Sequence, residues 1–259
     1  MALSPALRTR FRALAAQTDG IDTAAYAACG KDPLDPIIGL GRRDAKVCIL
    51  GRDPGRSEVE HGAPFVGSGG QLVRKALYRH LHHGAEMPDF AAGLEAGRVA
   101  FWLNTVPYKP VGNKAWSMPV KRRFHPLMRR LLLEQWRGDA ILTLGREAFL
   151  WFGIDQPREV RAALEAFWAH EDRFQAQTEV ELHSEDGRRS RRVVLHPPRG
   201  AASAAAPLAT QPDLVQTLPG AAGRTPATTR GLSRPLKVDR IQRRCVIVAR
   251  CRPPRSKPA

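Results

Sequence analysis

Short apolar runs alternate with longer segments of helical periodicity along most of the chain. Four runs are apolar at consecutive positions, and each has Gly, Asp or Arg at one or both ends: residues 47–50, 99–103, 140–144 and 193–195. A strand whose consecutive side chains are all apolar is covered on both faces, which is typical of parallel strands. The pattern therefore predicts four buried parallel strands.

Segments with the spacing of amphipathic helices lie between these runs, at residues 70–82, 120–136, 146–152 and 158–170. Alternation of strands and helices favours a layered α/β fold. We predict a three-layer α/β/α sandwich with a short, mainly parallel central sheet, formed by residues 1–200.

Residues 201–259 differ from this pattern because they are rich in Ala, Pro and Arg and contain few apolar clusters. Such a composition buries too little apolar surface to offset the entropy of ordering the chain. We expect a basic, largely disordered tail with one short helix near residues 213–218. A solvated tail without a specific role is the alternative.

Polar side chains follow the predicted strands at the points where they end. Asp53 comes just after the first strand, Asn104 after the second, Arg146 after the third and His196 after the fourth. Ligands of parallel sheets bind at the carboxyl ends of the strands, where these residues would meet. A carboxylate, a carboxamide and an imidazole on one rim indicate a catalytic pocket.

Each of these residues also has an ordinary structural explanation. Asp53 lies in an Asp-Pro-Gly turn, Asn104 could bond a neighbouring loop, and His196 precedes two prolines. Phe65 could belong to the core. Their joint placement favours the functional interpretation.

The net charge of the 259-residue chain is +16, which points to a polyanionic partner, above all nucleic acid. Residues 200–259 carry eleven Lys or Arg and two Asp and thus contribute +9. No apolar run approaches the ~20 residues of a membrane helix. Arg8, Arg10 and Arg12 interrupt the first segment, unlike a secretory signal, so we expect a cytoplasmic protein that does not bind membranes.

The four cysteines give no metal signature. Cys29, Cys48, Cys245 and Cys251 form no C-x-x-C pair, and Cys48 lies inside an apolar run that suits core packing. No glycine-rich phosphate loop is present. We expect neither a metal nor another cofactor.

The segment Gly51-Arg52-Asp53-Pro54-Gly55 resembles the first signature of the uracil-DNA glycosylase superfamily. That signature reads Gly-Gln-Asp-Pro-Tyr in one branch and Gly-Glu-Ala-Pro-Gly in another. Four further blocks follow in the family's order: "GAPFVGSGGQLVRKAL", "LNTVPYKP", "LTLGREAF" and "LHPPR". The resemblance covers about residues 47–199.

The resemblance implies a DNA repair enzyme that hydrolyses the N-glycosidic bond of uracil, or of another deaminated base, in single- or double-stranded DNA. Asp53 would stabilise the cationic sugar and His196 the departing uracil anion. Asn104 matches uracil O4 and N3–H, and Phe65 would stack on the flipped base. The remaining implied contacts are Gly51 and Arg52 with the base, and Arg146 and Arg199 with DNA phosphates. We expect a monomer.

Three features depart from the family pattern. Gly55 replaces the Tyr that blocks thymine in one branch, and the last motif reads His-Pro-Pro-Arg rather than His-Pro-Ser-Pro. The iron–sulfur branch needs four cysteines around the fold, whereas residues 1–199 contain two, so we expect an atypical branch without a cluster.

Two alternatives stay open on the sequence alone. One is a non-catalytic or weakly active nucleic-acid-binding relative that retains the base pocket. The other is a hydrolase or transferase acting on a free nucleoside or small anion, although no Gly-x-Ser-x-Gly elbow is present.

Overall fold

A five-stranded sheet with order β2-β1-β3-β5-β4 forms the centre of the computed structural model, which describes residues 3–39 and 41–197. The strands are β1 (Val47–Gly51), β2 (Ala100–Asn104), β3 (Ala140–Thr143), β4 (Thr178–His183) and β5 (Ser190–His196). β1, β2, β3 and β5 are parallel, and β4 pairs with β5 as an antiparallel hairpin.

Alternate residues of each central strand face two separate hydrophobic cores. In β1, Cys48 and Leu50 belong to the larger core, whereas Val47 and Ile49 belong to the smaller one. All five residues of β1 and of β2 are buried. The sheet is therefore covered on both faces, as continuous apolar runs require.

Helices form the two outer layers of the described part of the chain. α1 (Pro5–Ala16), α2 (Thr23–Ala28), α3 (Arg56–His61), α6 (Met118–Gln135), α7 (Arg146–Leu150) and α8 (Arg158–Ala169) contribute to the larger core. α4 (Ser68–Leu81) and α5 (Phe90–Ala96) contribute to the smaller core on the opposite face. The predicted three-layer α/β/α sandwich with a mainly parallel sheet is confirmed.

The hairpin partner β4 was not predicted, and β5 is longer than the predicted residues 193–195. β4 alternates buried and exposed positions, so it lacks the continuous apolar run of its neighbours. The helix predicted at residues 146–152 ends at Leu150 and continues as a 3₁₀ turn, Trp151–Gly153. The predicted tail at 201–259, with its helix near 213–218, lies outside the described residues.

None of the helices in the described ranges is both long enough and apolar enough to cross a bilayer.

Candidate active site

A cleft of about 840 Å³ opens where the loops after β1 and β2 meet the start of α4. Its walls include Gly51, Arg52, Asp53, Phe65 and Asn104. The structure thus brings together five of the residues predicted from the sequence. They meet because β1 and β2 are adjacent parallel strands, with Gly51 directly opposite Asn104.

The carboxylate of Asp53 is buried at the surface of this cleft. Its side chain is only 2% exposed, and Oδ2 lies 3.2 Å from Nε of Arg52. The contact does not have hydrogen-bond geometry, and Oδ2 has no hydrogen-bond partner among the described residues. The Thr105 hydroxyl lies 3.5 Å from Oδ1 and donates to the Arg52 carbonyl at 2.6 Å, which fixes the loop. Asp53 therefore keeps acceptor capacity for a ligand or water.

Burial raises the pKa of Asp53 from 3.8 to about 6. The positive charges of Arg52 and Lys121 oppose this rise, and Glu147 adds to it. Lys121 is itself buried and forms an ion pair with Glu147, which limits its influence on Asp53. Asp53 is accordingly ionised at neutral pH but takes up a proton in mild acid.

Phe65 forms an apolar wall of the cleft in a strained backbone conformation, with φ of 58°. Its ring packs on Trp102 with 5.1 Å between ring centroids. Two glycines make room for it: a Cβ on Gly51 would lie 2.6 Å from the ring, and one on Gly70 would lie 2.1 Å from the Phe65 carbonyl oxygen. The glycines of the two motifs therefore allow close approach to this aromatic residue.

Arg74 holds the backbone of Phe65 in place through a hydrogen bond to its carbonyl. Its guanidinium donates to the carbonyls of Phe65 at 2.9 Å and of Pro64 and Gly93 at 3.3 Å. It also stacks over Trp102, 4.5 Å from the ring centroid. The side chain is buried, and burial lowers the pKa of Arg74 to about 10, so it remains charged at neutral pH.

Asn104 presents an unsatisfied amide to the same cleft. The residue is 4% exposed, and Nδ2 has no hydrogen-bond partner among the described residues. A buried amide donor without a partner costs roughly 1–3 kcal/mol, which a bound acceptor would offset. The carboxylate of Asp53 and the amide of Asn104 can therefore each form a further hydrogen bond with a bound ligand.

Glu58 joins the two motif loops, a role that the sequence interpretation missed. Its Oε2 accepts from the Gly55 amide and its Oε1 from the Gly67 amide, each at 2.9 Å. Gly55 precedes α3, and Glu58 is its third residue. This spacing is the Glu half of a capping box, so a sequence signal for it existed.

His196, Arg146 and Arg199 are not among the residues that line the cleft. His196 ends β5 opposite Leu142 and is 8% exposed. Arg146, at the start of α7, is exposed and forms an ion pair with Glu165 at 2.7 Å. Arg199 lies outside the described residues. The roles assigned to these three residues stay predictions.

A second group of cleft residues was not predicted at all: Trp168, Arg173 and Phe174. They lie at the end of α8 and in the 3₁₀ turn Glu171–Phe174. Their segment has no counterpart in the motifs recognised from the sequence.

The cysteines in the described ranges do not fit an iron–sulfur cluster. Cys48 is fully buried in β1, and Cys29 follows α2. Across residues 3–39 and 41–197, no three His, Cys, Asp or Glu residues converge as metal ligands would.

Comparison with known proteins shows the family and a relative to which the chain is similar. A family model described as the uracil DNA glycosylase superfamily matches residues 38–216. The type-4 uracil-DNA glycosylase of Pyrobaculum aerophilum is 36% identical over 91 residues, which cover 33% of this chain and 40% of the relative. The chain thus matches about two fifths of that relative's length.

Proposed function

Because the chain belongs to the uracil DNA glycosylase superfamily, we propose that it is a monofunctional glycosylase hydrolysing the N-glycosidic bond of uracil, or another deaminated base, in DNA. The 36% identity over 91 residues to a type-4 uracil-DNA glycosylase supports the same role. The net charge of +16 suits a protein that binds the phosphate backbone.

The observation that carries this proposal is the pairing of two unsatisfied polar atoms in one cleft. Asp53 Oδ2 and Asn104 Nδ2 are both buried without a hydrogen-bond partner among the described residues. Phe65 contributes an aromatic wall to the same cleft. A flat base with polar edges, attached to a sugar, matches all three groups.

Asp53 acts on the sugar side of the scissile bond. As the bond breaks, positive charge develops on the deoxyribose, and a carboxylate held in a site of low polarity stabilises that charge. Its free lone pairs can also orient the attacking water. The pKa of Asp53, about 6, is still below neutral pH, so the carboxylate is in the ionised form that this step requires.

Asn104 and Phe65 act on the base. The Asn104 amide offers Nδ2 to a uracil carbonyl oxygen and Oδ1 to uracil N3–H. The Phe65 ring offers a face on which the extruded base stacks. In this proposal His196 donates to the leaving uracil, as the family resemblance implies.

The lining of the cleft favours simple hydrolysis over a covalent route. Glycosylases that also cleave the strand use an amine that forms a Schiff base with the sugar. No lysine is among the described residues that line the cleft. Lys121, which influences the pKa of Asp53, is held by Glu147.

Alkali-induced strand breaks test the proposal. The protein is incubated with single-stranded DNA containing one uracil, followed by alkali, alongside DNA with thymine or cytosine at the same position. We expect breaks at uracil only. Binding to the uracil strand without any break would instead support the weakly active, nucleic-acid-binding alternative.

A further inference from the structure

The cleft continues beyond the groups that act on one base. Besides Asp53, Phe65 and Asn104, the lining of the cleft includes a group from a different stretch of the chain, namely Trp168, Arg173 and Phe174. A volume of about 840 Å³ is near the upper end of the roughly 300–1,000 Å³ of pockets for drug-sized ligands. A single pyrimidine does not fill this space.

The second group of residues is a stack of three flat side chains. The Arg173 guanidinium carbon lies 4.3 Å from the Phe174 ring centroid and 5.5 Å from that of Trp168. Arg173 is also fixed by a hydrogen bond from Nη1 to the His170 carbonyl at 3.0 Å. Its Nε is buried without a hydrogen-bond partner among the described residues.

The stack is anchored in the core of the protein. Trp168 packs on Phe149 with 5.2 Å between ring centroids, and Phe149 is fully buried in α7. The stack is thus held in place before any ligand binds, which lowers the entropic cost of binding.

We propose that Trp168, Arg173 and Phe174 form a second subsite that binds the nucleobase next to the target base in the same DNA strand. Unpaired bases stack on aromatic rings and on guanidinium planes, and such stacking tolerates any base sequence. The subsite rests on the proposed function, because it takes the neighbour of the base held at Asp53 and Asn104.

The charges around the stack favour a base over a phosphate. Glu171 and Asp172, in the same 3₁₀ turn, are exposed acidic residues and outnumber the single basic residue of the turn, Arg173. They would repel a phosphate but not a neutral base. A base within a duplex is already stacked and paired, so the subsite gives a preference for single-stranded DNA.

The test compares short single strands that carry one uracil with either the normal base or an abasic analogue on its 5′ or 3′ side. For the wild-type protein, removing one of these two neighbours should lower kcat/KM by roughly 5- to 100-fold. Phe174→Ala and Trp168→Ala should show the same loss on the normal strand. These variants should lose little more when that neighbour is abasic, because the two changes remove the same contact.

The matched control is Phe90→Ala, which removes another partly exposed aromatic ring that does not line the cleft. It should retain the wild-type dependence on the neighbouring base. Thermal unfolding of each variant shows whether it is folded. Phe174→Ala is the safer variant, because Trp168 also packs on the core.

A binding arm separates this proposal from the function on which it rests. Fluorescence anisotropy with the same oligonucleotides measures affinity without requiring cleavage. Neighbour-dependent affinity in an inactive protein would reject the glycosylase role and keep the subsite. Cleavage of uracil strands with no dependence on either neighbour, or an equal loss in Phe90→Ala, would overturn the subsite.

Discussion

The carboxylate of Asp53, to which we assign a catalytic role in the proposed function, lowers the stability of the folded protein at neutral pH. Its pKa is raised from 3.8 to about 6, so between these values the folded protein holds a proton that the unfolded chain has released. Stability conferred by this site is therefore lost as pH rises from about 4 to 6. At pH 7.5 the ionised, buried group lowers the free energy of unfolding by on the order of 3 kcal/mol, because each unit of pKa shift corresponds to about 1.4 kcal/mol.

Replacing Asp53 by Asn should remove this cost. We expect Asp53→Asn to have a higher free energy of unfolding than the wild type at pH 7.5 and nearly the same value at pH 4. Urea unfolding at the two pH values measures the difference. An equal effect at both would show that the charge of Asp53 is not the cause.

Arg74 should act on the base through Phe65 rather than directly. Arg74→Met removes the hydrogen bonds to the carbonyls of Phe65, Pro64 and Gly93, so the strained backbone at Phe65 is expected to relax and its ring to move. We predict weaker binding of uracil strands by roughly 5- to 100-fold, with a smaller change in kcat. Arg74→Lys should not restore binding, because an ammonium group cannot span three carbonyls.

The neighbouring Lys75, which is exposed on the same helix, provides the control for Arg74. Lys75→Met should bind uracil strands like the wild type after correction for one lost charge. A fall in kcat at unchanged KM in Arg74→Met would contradict a role in positioning the ring.

Among the secondary-structure elements, the connection between β1 and α4 depends on one side chain. Glu58 holds the loop before α3 and the loop before α4 through two backbone amides. Glu58→Ala leaves both amides without this acceptor and should lower the free energy of unfolding by about 1–3 kcal/mol. Glu60→Ala, at an exposed position of α3, should change it by at most ~0.5 kcal/mol.

The parallel strands could be predicted from the sequence because each is a continuous apolar run. β4 reads Thr-Glu-Val-Glu-Leu-His, a strict alternation followed by Asp186-Gly187, which together are the signal of a hairpin. Continuous apolar runs alone do not reveal such a strand, because its exposed positions are polar. The alternation indicates correctly that only one face of β4 is buried.

The candidate site was predictable only where strand order determines it. Asp53 and Asn104 meet because adjacent parallel strands end side by side. Arg74 could not be identified, because in the sequence it is one more basic residue of an amphipathic helix. Its function arises from three carbonyls that the fold brings around it. The Trp168 stack likewise depends on the path of the chain after α8.

For the whole molecule, the main question is where the positive charge acts. Residues 201–259 carry +9 of the net +16. If this segment adds unspecific phosphate contacts, truncation after Gly200 should weaken DNA binding and flatten its dependence on log salt by a few units. The single-turnover rate at saturating DNA should not change.

A second truncation, after residue 216, separates this charge effect from a loss of the family domain, whose match ends at that position. The protein truncated after residue 216 should retain the single-turnover rate of the full chain at saturating DNA. An unchanged salt slope together with a lost single-turnover rate in the shorter protein would mean that residues 201–216 belong to the catalytic unit.

The central claim is that Asp53 drives the release of uracil from DNA, and single-turnover measurement of free uracil tests it most directly. The wild type, Asp53→Asn and the exposed control Asp44→Asn are compared between pH 5 and 8 at saturating DNA. The wild-type and control rates should be flat above pH ~7 and fall below about 6, as Asp53 takes up its proton. Asp53→Asn should be slower by ~10²–10⁴-fold and should not show this fall. Release of uracil by Asp53→Asn at the wild-type rate, or no release by the wild type, would contradict the account.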